Sequence, residues 1–253
     1  MRYDLAIVAD AKDAMEAMKV GLKHVDRAQW LGFAEDKRRE EHEKVTLPSR
    51  DHSGGELTMA HVLQTLTEMV DSNAVIVTDV GQNQMFAALY TRFRQTRSFI
   101  TSGGLGTMGF GLPAAMGAKL GVSDRLVVAV LGDGGFQMTM QELGTIMQEH
   151  IGVKILVLNN TYLGMVRQWQ RLFFDHRYSF TELENPDFSK IAAAYNIPAE
   201  RICQPGELEA SLGRMINAKG SYLLEICVKG EDNVFPMVPA GASLSDSIYK
   251  APK

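Results

Sequence analysis

Two short polar motifs could hold a metal ion and a phosphorylated ligand. Gly132-Asp133-Gly134 follows the apolar run Leu126–Leu131. The glycines would let the backbone approach a phosphate closely, and a helix that begins after them would attract an anion. The Asp133 carboxylate could bind a divalent cation that neutralises this anion. Taken alone, the motif also fits an ordinary turn in which Asp133 caps a helix.

Asn159-Asn160 is the second motif, and it follows the apolar stretch Lys154–Leu158, with 24 residues between Gly134 and Asn159. One strand–helix unit of this length would put the two strand ends side by side. A carboxylate and an amide oxygen, together with a diphosphate, suit the octahedral oxygen coordination of Mg²⁺. Alone, the Asn pair could be a left-handed turn. At this spacing, the two motifs predict a Mg²⁺ site shared by Asp133 and Asn160.

The elements that must position these motifs alternate between apolar strands and amphipathic helices, which indicates an α/β fold. We expect a doubly wound, mostly parallel sheet with helices on both faces. Ligands of such sheets bind beyond the carboxyl ends of the strands, and a third motif, Asp79-Val80-Gly81, also follows a strand. The predicted strands are Val75–Thr78, Phe99–Ser102, Leu126–Leu131 and Lys154–Leu158; the predicted helices are Thr58–Val70, Asn83–Phe93, Gly109–Leu120 and Met138–Glu149.

The first part of the chain has a different pattern. Leu5–Ala9 reads as a strand and Lys12–Lys19 as a short helix, and the alternating charges of 35–44 favour a solvated helix. The segment Pro48–Gly55 is polar and carries two glycines and a proline, so it is the best linker candidate. We therefore expect a first region over residues 1–45, a linker over 46–55 and a ligand-binding domain over 56–253.

Composition excludes several classes of protein. The 253 residues are 45% hydrophobic and 22% charged, which is ordinary for a globular chain and not for a disordered one. The net charge of −4 gives no basic field for nucleic acid, and no apolar run approaches the roughly 20 residues that span a bilayer. With no recognisable signal peptide and only Cys203 and Cys227, we expect a cytoplasmic protein whose two cysteines are reduced core residues.

Several further stretches resemble the catalytic subunit of acetolactate synthase, a family of thiamine-diphosphate enzymes. The likeness covers about residues 55–245, and residues 1–45 resemble the end of that family's central domain. Besides the two motifs above, the resemblance is carried by Val80–Met85, Thr101–Gly109, Gly164–Gln170, Asp175–Ser179 and Pro236–Pro239.

The resemblance implies a role for particular residues. Asp133, Asn160 and the backbone carbonyl of Tyr162 would bind Mg²⁺. Met108 would lie between the two rings of the cofactor, and Trp169 would shape the pocket for the second keto acid. The remaining expected cofactor contacts are Gly81, Gln82, Gly132, Gly134 and Gly135 at the diphosphate, with Gly106, Gly164 and Met165 at or near the aminopyrimidine.

The resemblance also implies an activity and partners. Such enzymes condense pyruvate with a second 2-keto acid to acetolactate or acetohydroxybutyrate, in branched-chain amino-acid biosynthesis. They work as homodimers or homotetramers, in some cases with a regulatory subunit, and hold FAD in the central domain. They need a glutamate from an N-terminal domain of a partner chain, for which residues 1–55 leave no room, so we expect this chain alone to be nearly inactive.

Two departures from the family pattern and three alternatives remain. Gly134-Gly135 stands where the family often has Ala-Ser, and Asn83 where many members have His. The first alternative is a sibling enzyme such as glyoxylate carboligase or a 2-keto acid decarboxylase, because few side chains decide the substrate. The second is an inert cofactor-binding or assembly module. The third is an NAD-binding Rossmann domain, since Gly104, Gly106 and Gly109 match a weak dinucleotide-binding pattern.

Overall fold

The computed structural model describes residues 3–47 and 55–250, which fall into two compact units with a division between Lys44 and Val45. Residues 48–54, the middle of the predicted linker, lie outside the described residues. No helix in the described part of the chain is both long and apolar enough to cross a membrane.

The first unit contains two helices, α1 (Ala11–Val20) and α2 (Ala28–Glu41), and a π-helical turn over His42–Thr46 follows α2. The charge-dense stretch is helical and exposed, as its alternating charges predict. The strand predicted for Leu5–Ala9 is wrong, because these residues are irregular and Val8 is fully exposed. A strand needs a neighbour for its backbone hydrogen bonds, and residues 3–44 provide none.

A six-stranded sheet forms the centre of the second unit, and every strand pair in it is parallel. The strands are β1 (Val75–Thr78), β2 (Phe99–Ile100), β3 (Val127–Gly132), β4 (Lys154–Asn159), β5 (Ala199–Ile202) and β6 (Tyr222–Cys227). Their order in the sheet is β2-β1-β3-β4-β6-β5. This confirms the predicted α/β class with a parallel sheet.

The described residues of this unit form eight α-helices. The helices predicted for Thr58–Val70 and Asn83–Phe93 agree with the observed ones within a few residues. The helix predicted for Met138–Glu149 is instead α6, a 3₁₀ turn over Met140–Glu142 and α7, because the chain enters a helix at Asp133, directly at the end of β3. The helices are α3 (Met59–Met69), α4 (Gln82–Tyr90), α5 (Gly111–Gly121), α6 (Asp133–Thr139), α7 (Leu143–Gln148), α8 (Gly164–Phe173), α9 (Phe188–Ala194) and α10 (Leu208–Asn217).

Two apolar layers cover the sheet, one on each face. Val128 and Val130 of β3 pack into the layer with α3, α4 and α10, whereas Val127, Ala129 and Leu131 pack into the layer with α5, α7 and α9. All five side chains are fully buried. A strand covered on both faces needs apolar residues at every position, which explains the uninterrupted run in the sequence.

The chain reverses its direction across the sheet at β1. From β1 it moves to β2 on one side, and then crosses back to β3 on the other. The carboxyl ends of β1 and β3 therefore flank a topological switch point, which is where open α/β sheets bind ligands.

The two cysteines differ from the prediction of reduced core residues. Cys203 is exposed and Cys227 is half-buried, and the two form a disulfide with their Cα atoms 4.7 Å apart. The reason is register: Ile202 of β5 is paired with Ile226 of β6, so the next residue of each strand lies beside the other.

Candidate functional site

A cleft opens at the switch point, beyond the carboxyl ends of β1, β3 and β4. It contains about 410 Å³ of empty space, part of it open to solvent. Its walls are formed by Met59, Val80, Gly81, Gln82, Asn83, Met108, Gly132, Asp133, Gly134, Gly135, Asn160, Tyr162, Leu163, Gly164, Met165 and Val166.

This cleft brings together all but two of the sequence-predicted site residues. The exceptions are Gly106, which lies in the exposed loop after β2, and Trp169. Trp169 is 37% exposed on α8, and its ring packs edge-on against Phe173 with centroids 5.5 Å apart.

Three helices begin in the walls of the cleft: α4 at Gln82, α6 at Asp133 and α8 at Gly164. The N-cap residues Gly81, Gly132 and Leu163 form no side-chain capping bond at these starts, although the Asp133 carboxyl accepts from the Gly134 N–H within α6. The first backbone N–H groups of a helix have no partner within the helix, and they carry its partial positive charge. The cleft therefore offers three helix starts to an anion, which suits a diphosphate.

Asp133 is a buried carboxylate, 1% exposed, at the start of α6. Burial raises the pKa of this carboxyl to about 6, against the opposing effect of a hydrogen bond from Asn185 and of backbone N–H groups including those of Gly134 and Thr161. No cationic side chain of the described residues forms an ion pair with it. Because a buried carboxylate is costly without a compensating charge, the environment of Asp133 fits a bound cation.

Asn160, at the end of the next strand, also lines the cleft and is 3% exposed. Its Nδ2 donates to Gln82 Oε1 at 3.3 Å, and its Oδ1 accepts from the Tyr162 backbone N–H at 3.1 Å. The described residues contain no cluster of three or more His, Cys, Asp or Glu side chains that could hold a metal. A cation in this cleft would therefore depend on one carboxylate, neutral oxygens and the ligand itself, as Mg²⁺ sites with phosphates do.

Gly164 allows this close packing. A Cβ there would overlap Gln82 Oε1 and would come within 2.7 Å of Asn160 Nδ2. The Gln82 side chain also donates to Gln168 Oε1 at 2.9 Å and to the Asp232 carbonyl at 2.7 Å. The amide of Gln82 is therefore bound within the protein, and only its backbone remains for the predicted contact with a diphosphate.

Comparison with known families agrees with this geometry. Residues 79–226, more than half of the chain, match the family described as thiamine pyrophosphate enzyme, C-terminal TPP binding domain. The chain belongs to this family. The matched segment of the thiamine-pyrophosphate-binding domain runs from the end of β1 to β6 and includes the Asp133 and Asn160 motifs.

Individual relatives are named acetolactate synthases. The domain is 46% identical over 201 residues to acetolactate synthase isozyme 2 large subunit of Escherichia coli (strain K12), which covers 79% of this chain and 37% of that protein. It is 39% identical over 253 residues to acetolactate synthase 1, chloroplastic, of Nicotiana tabacum, covering 96% and 38%. It is 40% identical over 258 residues to the probable acetolactate synthase large subunit of Methanocaldococcus jannaschii, covering 98% and 43%. The chain thus spans about two fifths of the length of these relatives.

The Rossmann alternative loses its support. That reading needs an acidic residue after the next strand, and Asp133, which would have filled this place, lies in the cleft of the thiamine-pyrophosphate-binding domain. Leu105, in the middle of the glycine-rich loop, is 94% exposed.

Asp79 and Asn83 contribute to this domain in ways that the sequence did not reveal. Asp79 Oδ1 accepts from the backbone N–H groups of Val80 at 2.8 Å and Gly109 at 3.1 Å, and Oδ2 accepts from Gly111 at 2.7 Å. Asn83 Nδ2 donates to the carbonyls of Asp79 and Val130, both at 3.0 Å. Asp79 therefore fixes the loop that carries Met108, and Asn83 joins β1 to β3. Both residues hold the cleft in shape.

The segment after β6 packs against α8. Gln168 is 1% exposed, accepts from the Val234 N–H at 2.9 Å and donates to the Val234 carbonyl at 3.0 Å. The buried Arg167 forms an ion pair with Glu231, and its guanidinium lies 4.8 Å from the ring centroid of Tyr162. These contacts fix the start of α8 over the cleft. The bonds to Val234 and Glu231 were missed because they join segments over 60 residues apart.

Proposed function

We propose that this chain is the part of an acetolactate synthase-type carboligase that binds the diphosphate of thiamine diphosphate and its metal ion. The enzyme would condense pyruvate with a second 2-keto acid, giving acetolactate or acetohydroxybutyrate. The observation that carries the proposal is the cleft in which three helix starts surround the buried carboxylate of Asp133. The names of the relatives support the choice of reaction within the family.

The cation would be Mg²⁺, held by Asp133, Asn160 and the backbone carbonyl of Tyr162. The donor set fits this ion, because it supplies oxygens only and leaves positions for phosphate oxygens. The backbones of Gly81, Gln82, Gly134 and Gly135 would bind the diphosphate through N–H groups at the starts of α4 and α6.

When bound, thiamine diphosphate supplies the nucleophilic carbon and the electron sink that decarboxylation and carbon–carbon bond formation need. The chain's own residues bind and orient it. Met108 in the cleft wall would hold the two rings in a bent arrangement, and Met165, with Gly106, would line the aminopyrimidine pocket. Trp169 lies one turn further along α8 from the cleft, where it would limit the size of the second keto acid.

The rest of the protein's organisation is also part of the proposal. We infer a homodimer or homotetramer in the cytoplasm, FAD bound only in the full-length protein, and a possible regulatory subunit; two of the relatives are themselves named large subunits. We further propose that residues 1–45 end a central domain, that 46–55 link it and that 56–253 bind the cofactor.

A calorimetric titration of the chain with thiamine diphosphate, with and without Mg²⁺, tests the cofactor claim. We expect Mg²⁺ to tighten binding, and Asp133→Ala to abolish this dependence because Asp133 is the only carboxylate among the described residues that line the cleft. Asp124→Ala, which changes an exposed aspartate in the loop before β3, is the matched control. Unchanged cofactor affinity in a folded Asp133→Ala chain would show that the motif is only a turn.

A further inference from the structure

Asn185 occupies the space behind the two polar motifs. Its Nδ2 donates to Asp133 Oδ2 at 2.6 Å and to Asn159 Oδ1 at 2.9 Å. Its Oδ1 accepts from Gln137 Nε2 at 2.7 Å. Both amide hydrogens and the carbonyl oxygen are therefore in use, so the amide has one orientation.

The backbone brings Asn185 to this place by an antiparallel contact. The Leu163 N–H donates to the Thr181 carbonyl at 2.7 Å, and the Leu183 N–H donates to the Thr161 carbonyl at 2.8 Å. The loop after β4, which carries Asn160 and Tyr162, is thus paired with the segment that carries Asn185.

The other end of this segment is fixed by α9. The Asp187 side chain caps the helix by accepting from the Lys190 N–H at 3.0 Å. Phe188, the first residue of α9, is fully buried and packs edge-on against Phe136 of α6 with ring centroids 5.2 Å apart. Asn185 is therefore held between two anchors, both in contact with elements of the cleft.

We propose that Asn185 is a positioning residue of the cation site, which occupies one oxygen of Asp133 and so presents only the other to the metal. The bond from Asn185 engages Oδ2, and no other side chain of the described residues donates to this carboxyl group; its remaining donors are backbone N–H groups, including those of Gly134 and Thr161. The carboxylate would then bind the cation through Oδ1 alone. Gln137 fixes the orientation of the Asn185 amide, because a flipped amide would place its oxygen against two hydrogen-bond acceptors.

A monodentate carboxylate favours a small octahedral cation. Mg²⁺ demands six oxygens at about 2.0–2.1 Å, whereas Ca²⁺ takes 6–8 oxygens at about 2.3–2.6 Å and often uses both oxygens of a carboxylate. Removing Asn185 frees Oδ2, so it should weaken Mg²⁺ binding and relax the discrimination against Ca²⁺. This inference rests on the proposed cofactor function, and the experiment separates the two.

The test compares Mg²⁺ and Ca²⁺ affinities of the 253-residue chain by calorimetry in the presence of thiamine diphosphate. Asn185→Leu keeps the approximate size and removes the donors. Gln137→Leu leaves Asn185 in place but removes the bond that orients it, so its effect should have the same direction and be smaller. Glu184→Gln, an exposed change in the same segment, is the matched control. Thermal unfolding without metal reports whether each variant is folded.

We expect Asn185→Leu to weaken Mg²⁺ roughly 10–100-fold, as losses of hydrogen bonds to metal ligands do, and Ca²⁺ by less, so that the affinity ratio falls. A merely structural role would weaken both cations equally. An unchanged ratio in folded Asn185→Leu, or in Gln137→Leu if the first variant does not fold, overturns the inference. A wild-type chain that binds no Mg²⁺ with thiamine diphosphate overturns the proposed function and this inference with it.

Discussion

Gly135→Ala is the substitution whose cost can be worked out most directly from the structure. A Cβ at this position would overlap Asp79 Oδ1 and lie 2.7 Å from Asp79 Cγ, where ordinary contacts begin near 3.4 Å. Because Oδ1 lies only 2.3 Å from this Cβ, the carboxyl oxygen would have to retreat by about 1.1 Å to reach an ordinary contact. Asp79 is 1% exposed and accepts three backbone hydrogen bonds, so it has no open space to enter.

The magnitude follows from the bonds that this displacement breaks. Oδ1 holds the N–H groups of Val80 and Gly109, and each such bond contributes roughly 1–1.5 kcal/mol. Their loss costs about 2–3 kcal/mol, and the better helix propensity of alanine within α6 returns about 1 kcal/mol. The free energy of unfolding should therefore fall by about 1–2 kcal/mol. For a chain of this size this lowers Tm by about 2–8 °C.

Thermal and urea unfolding followed by circular dichroism measure this change. Gly117→Ala is the matched control, because Gly117 also lies in a helix but a Cβ there meets nothing within 4 Å. The control should be neutral or slightly stabilising. If both variants unfold alike, the crowding of Gly135 against Asp79 does not constrain the fold. A serine at this position would face the same contact, so the glycine is matched here to the placement of Asp79.

Two further predictions concern the cleft and the sheet edge. Gly164→Ala should weaken thiamine diphosphate binding about tenfold or more by calorimetry, because its Cβ separates Gln82 from Asn160; wild-type affinity would show that this close approach is unnecessary. Glu225 is 1% exposed, and burial raises the pKa of its carboxyl against the opposing effects of Asn159 and Arg201. The folded chain thus binds more protons than the unfolded chain between the ordinary pKa and the raised one, so this group's contribution to stability falls as pH rises through that window. The difference in Tm between the wild type and Glu225→Gln should change with pH there, and a constant difference would contradict the burial argument.

The sequence was most informative where a strand is covered on both faces. The apolar runs before Asp79, Gly132 and Asn159 predicted β1, β3 and β4 within one residue. They could do so because a parallel strand between two helical layers is apolar at nearly every position. The same logic failed for Leu5–Ala9, where a short apolar run has no partner strand in its own unit. It also did not predict β5, because Glu200 and Arg201 interrupt the apolar pattern of that strand.

The site residues likewise fall into those that the sequence predicts and those that it does not. Asp133 and Asn160 could be found because strand order alone brings the ends of β3 and β4 together. Asn185 could not, since its partner Asp133 is 52 residues away along the chain. The segment around Asn185 does carry a local signal, Pro186 followed by the capping Asp187, but this signal predicts only the start of a helix.

This difference between predictable and unpredictable site residues has a physical basis that bears on function. Strand order can place two cation ligands near each other, but it cannot determine which oxygen of a carboxylate faces the ion. Here that choice is made by an irregular segment that returns against the loop after β4 and presents Asn185 to Oδ2 of Asp133. Because that segment is anchored through Phe188 on Phe136, the packing of α9 against α6 would be part of the proposed cation site, even though no residue of α9 reaches the cleft. Cofactor binding and core packing would then be coupled in this domain through the orientation of one amide.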